Sequence, residues 1–88
     1  MAERTVTIVN KNGLHARPAA EIVKAAAKFS SDIVILRDEL EVNGKSIMGV
    51  LMLAAECGSS ITLRASGPDE VAAVDTLAAL ISAKFGEK

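Results

Sequence analysis

The chain has 88 residues, a formal net charge of −1 and an apolar content of 50%, with Phe29 and Phe85 its two aromatic residues. That suffices for one small core, built from Val, Ile, Leu, Met and Ala, and leaves no room for a second lobe, so a single domain over 1–88 is expected. The near-neutral charge spread and the scarcity of aromatics argue against nucleic-acid binding, which wants a basic face or a stacking platform.

In chain order, Val6 and Ile8 alternate with Thr5, Thr7 and Val9, predicting a short half-buried strand. Asn10-Lys11-Asn12-Gly13 is turn chemistry, because Asn and Gly tolerate the positive φ values that end a strand sharply. The period then changes. Ala19, Ile22, Val23, Ala26 and Phe29 recur on one helical face, with Glu21, Lys24 and Lys28 opposite. Pro18 suits a first helical turn, so this helix is expected to start at Ala16 or Arg17, directly after His15.

Ile33 to Leu36 is a β-branched run predicted as a central strand. Arg37-Asp38-Glu39 turns the chain into a second short strand over Leu40 to Val42, and Asn43-Gly44-Lys45 makes the next turn. Ser46 occupies an N-cap position ahead of a short apolar helix over residues 47 to about 53. Residues 57–59 close that segment, and Ile61 to Ala65 is a fourth strand. Gly67-Pro68-Asp69-Glu70 opens the last helix, with its acids at the positive end of the dipole. Val71, Val74, Ala78, Ile81 and Phe85 are its expected buried stripe, with Leu77 beside it. The order β-α-β-β-α-β-α in one unit predicts an α+β fold, an antiparallel sheet covered on one face by helices.

Chemistry centres on His15, the chain's one histidine. By itself it could be a surface residue near a helix start; its neighbours argue for more. Gly13 permits close backbone approach, Pro18 sets the start of the helix, and Arg17 adds a permanent positive charge two residues on. The free amides and dipole of a helix N-terminus hold an anion, and the positive dipole end disfavours an imidazolium over the nucleophilic neutral ring. A neutral imidazole beside a phosphate cradle made by the backbone of Ala16 and Arg17, with the Arg17 guanidinium to clamp phosphate oxygens, suggests a phosphohistidine site. There is no Gly-rich nucleotide loop, second histidine or carboxylate cluster for magnesium, and no metal or organic cofactor is indicated. Such a chain is an intermediate in phosphoryl transfer rather than a stand-alone catalyst, because over-stabilising the phosphate would stop its release.

Gly13-Leu14-His15-Ala16-Arg17-Pro18-Ala19-Ala20 resembles the phosphorylation-site signature of the HPr phosphocarriers of the bacterial phosphoenolpyruvate-dependent sugar phosphotransferase system. Gly44-Lys45-Ser46-Ile47-Met48-Gly49-Val50-Leu51-Met52 resembles the regulatory serine segment of the same family, and length and element order agree over the whole chain. The resemblance implies an open-faced β-sandwich, a four-stranded antiparallel sheet with three helices on one side. It implies that His15 accepts phosphate on Nδ1 from a phosphoenolpyruvate-charged enzyme I and passes it to enzyme IIA-type domains of sugar permeases. Partners of this kind dock transiently, which is best served by a monomer.

Ser46 as an N-cap is worth about 1 kcal/mol. The resemblance adds a second role, modification by an HPr kinase/phosphorylase. A phosphate at that helix start is tolerated by the dipole and would act on docking partners, a transcriptional regulator among them. Val50 and Leu53 are expected inside, with Ile47, Met48 and Leu51 facing out as a partner surface, since a two-turn helix cannot bury every apolar residue it carries. Cys57, the single cysteine, can form no internal disulfide and is expected to be an inert, partly buried thiol. Ala54 stands where many relatives have Gly, with a small local change expected. No apolar signal core opens the chain, and the run 47–55 is far short of the ~20 residues a bilayer requires, so a cytoplasmic protein without membrane contact is expected. Two alternatives remain: a paralogue serving a regulatory, nitrogen-type phosphotransfer branch, and an interaction module in which His15 and Ser46 are only caps.

Overall fold

Alternation is cleanest in Ser60–Ser66, where Ile61, Leu63 and Ala65 are buried and the polar residues between them face the other way. This strand, β4, sits inside a four-stranded antiparallel sheet in the order β1-β4-β2-β3, with β1 at Ala2–Thr7, β2 at Asp32–Arg37 and β3 at Leu40–Asn43. The computed structural model describes residues 1–86. Helices α1 (Ala16–Ala26), α2 (Ile47–Met52) and α3 (Glu70–Ser82) follow β1, β3 and β4 in turn, which is the expected β-α-β-β-α-β-α order.

Register explains which sheet face is covered. Val6 pairs with Ile61, Ile33 with Ala65, and Ile35 with both Leu63 and Val42, so one face collects branched aliphatic side chains. Ala19, Ile22 and Ala26 of α1, Val50 of α2, and Ala73, Val74, Leu77, Ala78 and Ile81 of α3 complete the core. The opposite face is open and mainly polar, with Val34 and Leu36 half-buried among polar neighbours. There the Thr5 and Thr62 hydroxyls hydrogen-bond at 3.1 Å, and Arg64 Nε donates to Glu3 Oε2 at 2.9 Å, both between directly paired residues. The open-faced sandwich expected from the sequence is the fold observed.

Several local expectations are corrected. β1 ends at Thr7 instead of continuing to Val9, because its ladder partner β4 begins at Ser60, opposite Thr7. Ile8 remains buried and exchanges bonds with residues 58–59, while Val9 is 39% exposed. In α3 the stripe is centred on Val74, Leu77 and Ile81; Val71, roughly a quarter-turn from that centre, is 62% exposed and Ala73 is buried instead. Phe85 lies beyond the end of α3 in a 3-10 turn with left-handed backbone, half-buried against the core. Cys57 is exposed.

Asp69 precedes α3 but does not cap it. Its carboxylate instead accepts from the Ser30 and Ser31 amides, each at 2.9 Å, and from the Ser31 hydroxyl, fastening the α1–β2 loop to the start of α3. The Ser31 hydroxyl, then the Ser30 amide, hold the Asp69 carboxyl below its ordinary range. A carboxylate depressed by folding stabilises the folded state above the unfolded-state value, and that contribution is lost as pH falls through the folded-state value. Glu70, paired with the Met1 ammonium at 2.7 Å, is shifted the same way. Asp69→Asn is therefore expected to melt lower than the parent at pH 7 and to lose less Tm between pH 7 and roughly 3. An equal acid-induced fall in both proteins would remove Asp69 as a source of the acid sensitivity.

Candidate functional site

Two helix starts carry the candidate residues. His15 is the N-cap of α1, in extended backbone (φ −91°, ψ −171°), and its side chain makes no capping bond to the helix. It is exposed, as are Ala16 and Arg17 behind it. The first i→i−4 bond runs from the Ala19 amide to the His15 carbonyl at 3.0 Å. The amides of Ala16 and Arg17 therefore lie outside the intrahelical ladder, Pro18 has none to give, and no acidic residue occupies the first turn. This end of the helix therefore has two backbone donors outside the ladder and the favourable end of the dipole for negative charge, with the exposed Arg17 on the same turn. His15 and Arg17 fall together on the same turn, where the sequence placed them.

The loop before His15 is held from beneath. Leu14 is buried, and its amide donates to the Ala55 carbonyl at 2.8 Å. The Gly13 amide donates to the Asn10 carbonyl and the His15 amide to the Gly13 carbonyl, each at 3.1 Å. Asn10, read from sequence only as a turn residue, is fully buried, and its Nδ2 donates to the Gly13 carbonyl at 2.7 Å. An asparagine at the head of an Asn-x-x-Gly stretch is the signal that could have marked it, since such side chains bond nearby backbone.

Ser46 is the N-cap of α2 and, unlike His15, uses its side chain: Oγ accepts from the Gly49 amide at 3.2 Å. The turn ahead of it is secured by the Asn43 side chain, which accepts from the Lys45 amide at 2.8 Å, and by Lys45 Nζ donating to the Phe29 carbonyl at 2.8 Å. Val50 and Leu53 are buried and Ile47 and Met48 exposed, as expected. Leu51 departs from expectation. It is half-buried and packs against the core, whereas Met52 is 65% exposed, because α2 lies on both α1 and β3 and turns Leu51 inward. The exposed apolar surface of α2 is thus Ile47, Met48 and Met52, on the helix that packs beside α1. No helix among the described residues is long and apolar enough to cross a membrane.

Comparison with known proteins agrees with this geometry. The family model described as "PTS HPr component phosphorylation site" matches residues 2–83. The phosphocarrier protein HPr of Treponema pallidum is 51% identical over 88 residues, covering all of both chains. The phosphocarrier protein NPr of Shewanella violacea is 45% identical, over 97% of this chain and 93% of its own. The crystal structure of HPr from Thermoanaerobacter tengcongensis superimposes with a TM-score of 0.96 at 50% identity, covering 100% of this chain and 99% of that one. A dimer of the same organism's HPr gives 0.80 at 50% identity, covering 99% and 100%. With a family model over nearly its whole length, relatives at half identity and an HPr fold, the chain belongs to the HPr phosphocarrier family of the phosphotransferase system.

Proposed function

We propose that this chain accepts a phosphoryl group on His15 from a phosphoenolpyruvate-charged enzyme I and passes it to enzyme IIA-type domains of sugar permeases. The observation that carries this reading is the α1 N-terminus: an exposed imidazole at the N-cap, two amides outside the helical ladder and Arg17 on the same turn. In the acceptance step the imidazole nitrogen attacks phosphorus, a new N–P bond forms, and the donor's bond to phosphorus breaks. The Ala16 and Arg17 amides and the Arg17 guanidinium receive the transferred oxygens, and the proton displaced from the ring leaves to solvent. The same donors face the group during release, so they lower the cost of transfer in both directions without trapping it.

Ile47 and Met48, joined by Met52, form the docking surface, and the chain works as a cytoplasmic monomer. Ser46 is the regulatory position for an HPr kinase/phosphorylase. A phosphate there adds nearly two negative charges beside this apolar surface and alters which partners, a transcriptional regulator included, will dock. The match to an NPr carrier supports a second reading, a regulatory branch with the same site chemistry and different partners. Transport assays with cognate enzyme II proteins separate the two.

The decisive experiment is incubation with phosphoenolpyruvate, magnesium and purified enzyme I, followed by intact mass and acid-lability analysis, with His15→Ala in parallel. One acid-labile phosphoryl group on the parent and none on the variant is the expected result. No modification by a donor proven on another carrier would reduce His15 to a helix cap and sink the relay.

A further inference from the structure

A helix of six residues ends with carbonyls that its own amides cannot reach, and α2 has no basic residue in its last turn to meet them. The donor comes from another element. Arg37, the last residue of β2, points to the helix side in alternation with buried Ile33 and Ile35. Its Nη1 donates to the Leu53 carbonyl at 2.7 Å and to the Ala54 carbonyl at 2.9 Å. Bonds from a charged donor are stronger than neutral ones.

Those two carbonyls flank a strained joint. Ala54 has φ +49°, a left-handed conformation that glycine adopts freely and an alanine adopts only at a cost. The turn it makes delivers Ala55, buried beneath the His15 loop, where the Ala55 carbonyl accepts the Leu14 amide at 2.8 Å. Leu14 directly precedes His15. A continuous path of bonds therefore runs from the guanidinium through the 53–55 backbone to the residue before the candidate acceptor.

We propose that Arg37 is a positioning residue for His15, holding the strained end of α2 so that Ala55 fixes the Leu14 amide and, with it, the first turn of α1. The proposal rests on the reading of His15 as phosphoryl acceptor. Arg37 touches neither phosphate nor donor; it acts through backbone.

Amide hydrogen exchange on the intact protein tests the first half. In Arg37→Met, which keeps length but removes the donors, the Leu14 amide should exchange about tenfold faster, while the Ile61 and Leu63 amides of β4 keep the parent's rates. Phosphoryl acceptance from charged enzyme I tests the second half: apparent kcat should fall several-fold with KM for the donor unchanged. Arg37→Lys, which retains one cationic donor group and serves if the Met variant folds poorly, should recover part of both. Leu14 exchange that is unchanged, or that rises only in step with β4, would show a clamp that stabilises without positioning and would overturn the proposal. Faster Leu14 exchange with unaltered transfer would overturn it too. A parent protein that accepts no phosphate defeats the acceptor reading instead, and the exchange data still decide whether Arg37 holds the loop.

Discussion

Replacing Gly13 by alanine is expected to lower stability by about 2 kcal/mol or more and Tm by roughly 10 °C, and to impair phosphoryl acceptance beyond what that loss explains. Gly13 has φ +66°, a left-handed conformation in which any side chain is strained. A Cβ there would lie 2.5 Å from the Ala55 carbonyl oxygen, 2.9 Å from the Glu56 Cα and 3.3 Å from the Cys57 amide nitrogen. All three are backbone atoms of the 55–57 segment, so no flexible side chain can move aside. The segment itself is tied down, since the Gly58 amide donates to Ile8 at 2.7 Å and the Ile8 amide to Ser59 at 2.8 Å. Relief must come from the His15 loop, which lifts off the Ala55 carbonyl and loses the Leu14 bond. His15 and the open amides of Ala16 and Arg17 then lose their common placement. Thermal melts give the first quantity, and phosphorylation followed by mass at 25 °C, where the variant is still folded, gives the second. A melting curve superimposable on the parent's would overturn the steric account; a large fall in Tm with unimpaired acceptance would show that the loop need not be held from below.

The features of this fold that are readable from sequence are those decided by neighbours in the chain. His15 and Ser46 fall at N-caps because Pro18 and the apolar run after Ser46 mark helix starts within a few residues, and the two-residue alternation of β4 is complete within its own span. What escaped the sequence depends on distant partners. The length of β1 is decided by where β4 begins, more than fifty residues later. The exchange of Leu51 for Met52 on the outer surface of α2 follows from the angle at which that helix meets α1 and β3, which a six-residue periodicity does not encode. Arg37 reads as a turn residue because its left-handed neighbour Asp38 starts the hairpin, yet its side chain reaches carbonyls 16 and 17 positions away. Asp69 reads as an acid at the positive end of the α3 dipole, and its carboxylate is claimed by the 30–31 loop. Short polar side chains with two oxygens serve whichever amides the tertiary fold brings nearest, and local sequence does not name those amides.

Gly67→Ala should destabilise the protein by about 2–3 kcal/mol, or roughly 10–20 °C in Tm, while leaving phosphoryl acceptance at 25 °C unchanged. Gly67 has φ +150°, a region that L residues rarely occupy, and a Cβ there would lie 2.7 Å from both the Cα and the Oγ of Ser31. Ser31 cannot retreat. It is 1% exposed, and its amide and hydroxyl are held by Asp69 at the start of α3. The added methyl therefore drives the α1–β2 loop away from α3 and strips Asp69 of the donors that keep its carboxyl acidic. A second consequence follows from linkage: with those donors gone, the acid-dependent loss of stability should shrink, as in Asp69→Asn, even though position 67 carries no charge. The two glycines thus separate causes that a single variant would confound. Gly13 lies in the His15 loop where it rests on residues 55–57, and its replacement should reduce both stability and acceptance; Gly67 lies against a clamp that joins α1–β2 to α3, and its replacement should reduce stability and acid sensitivity alone. Melts at pH 7 and at roughly pH 3, run beside a phosphorylation time course, read all three. If Gly67→Ala kept the parent's acid sensitivity, the Ser31–Asp69 contact would have survived the methyl. If it slowed acceptance as strongly as Gly13→Ala, the damage would have spread along α1 to His15, and the two ends of that helix would have to be treated as one cooperative unit.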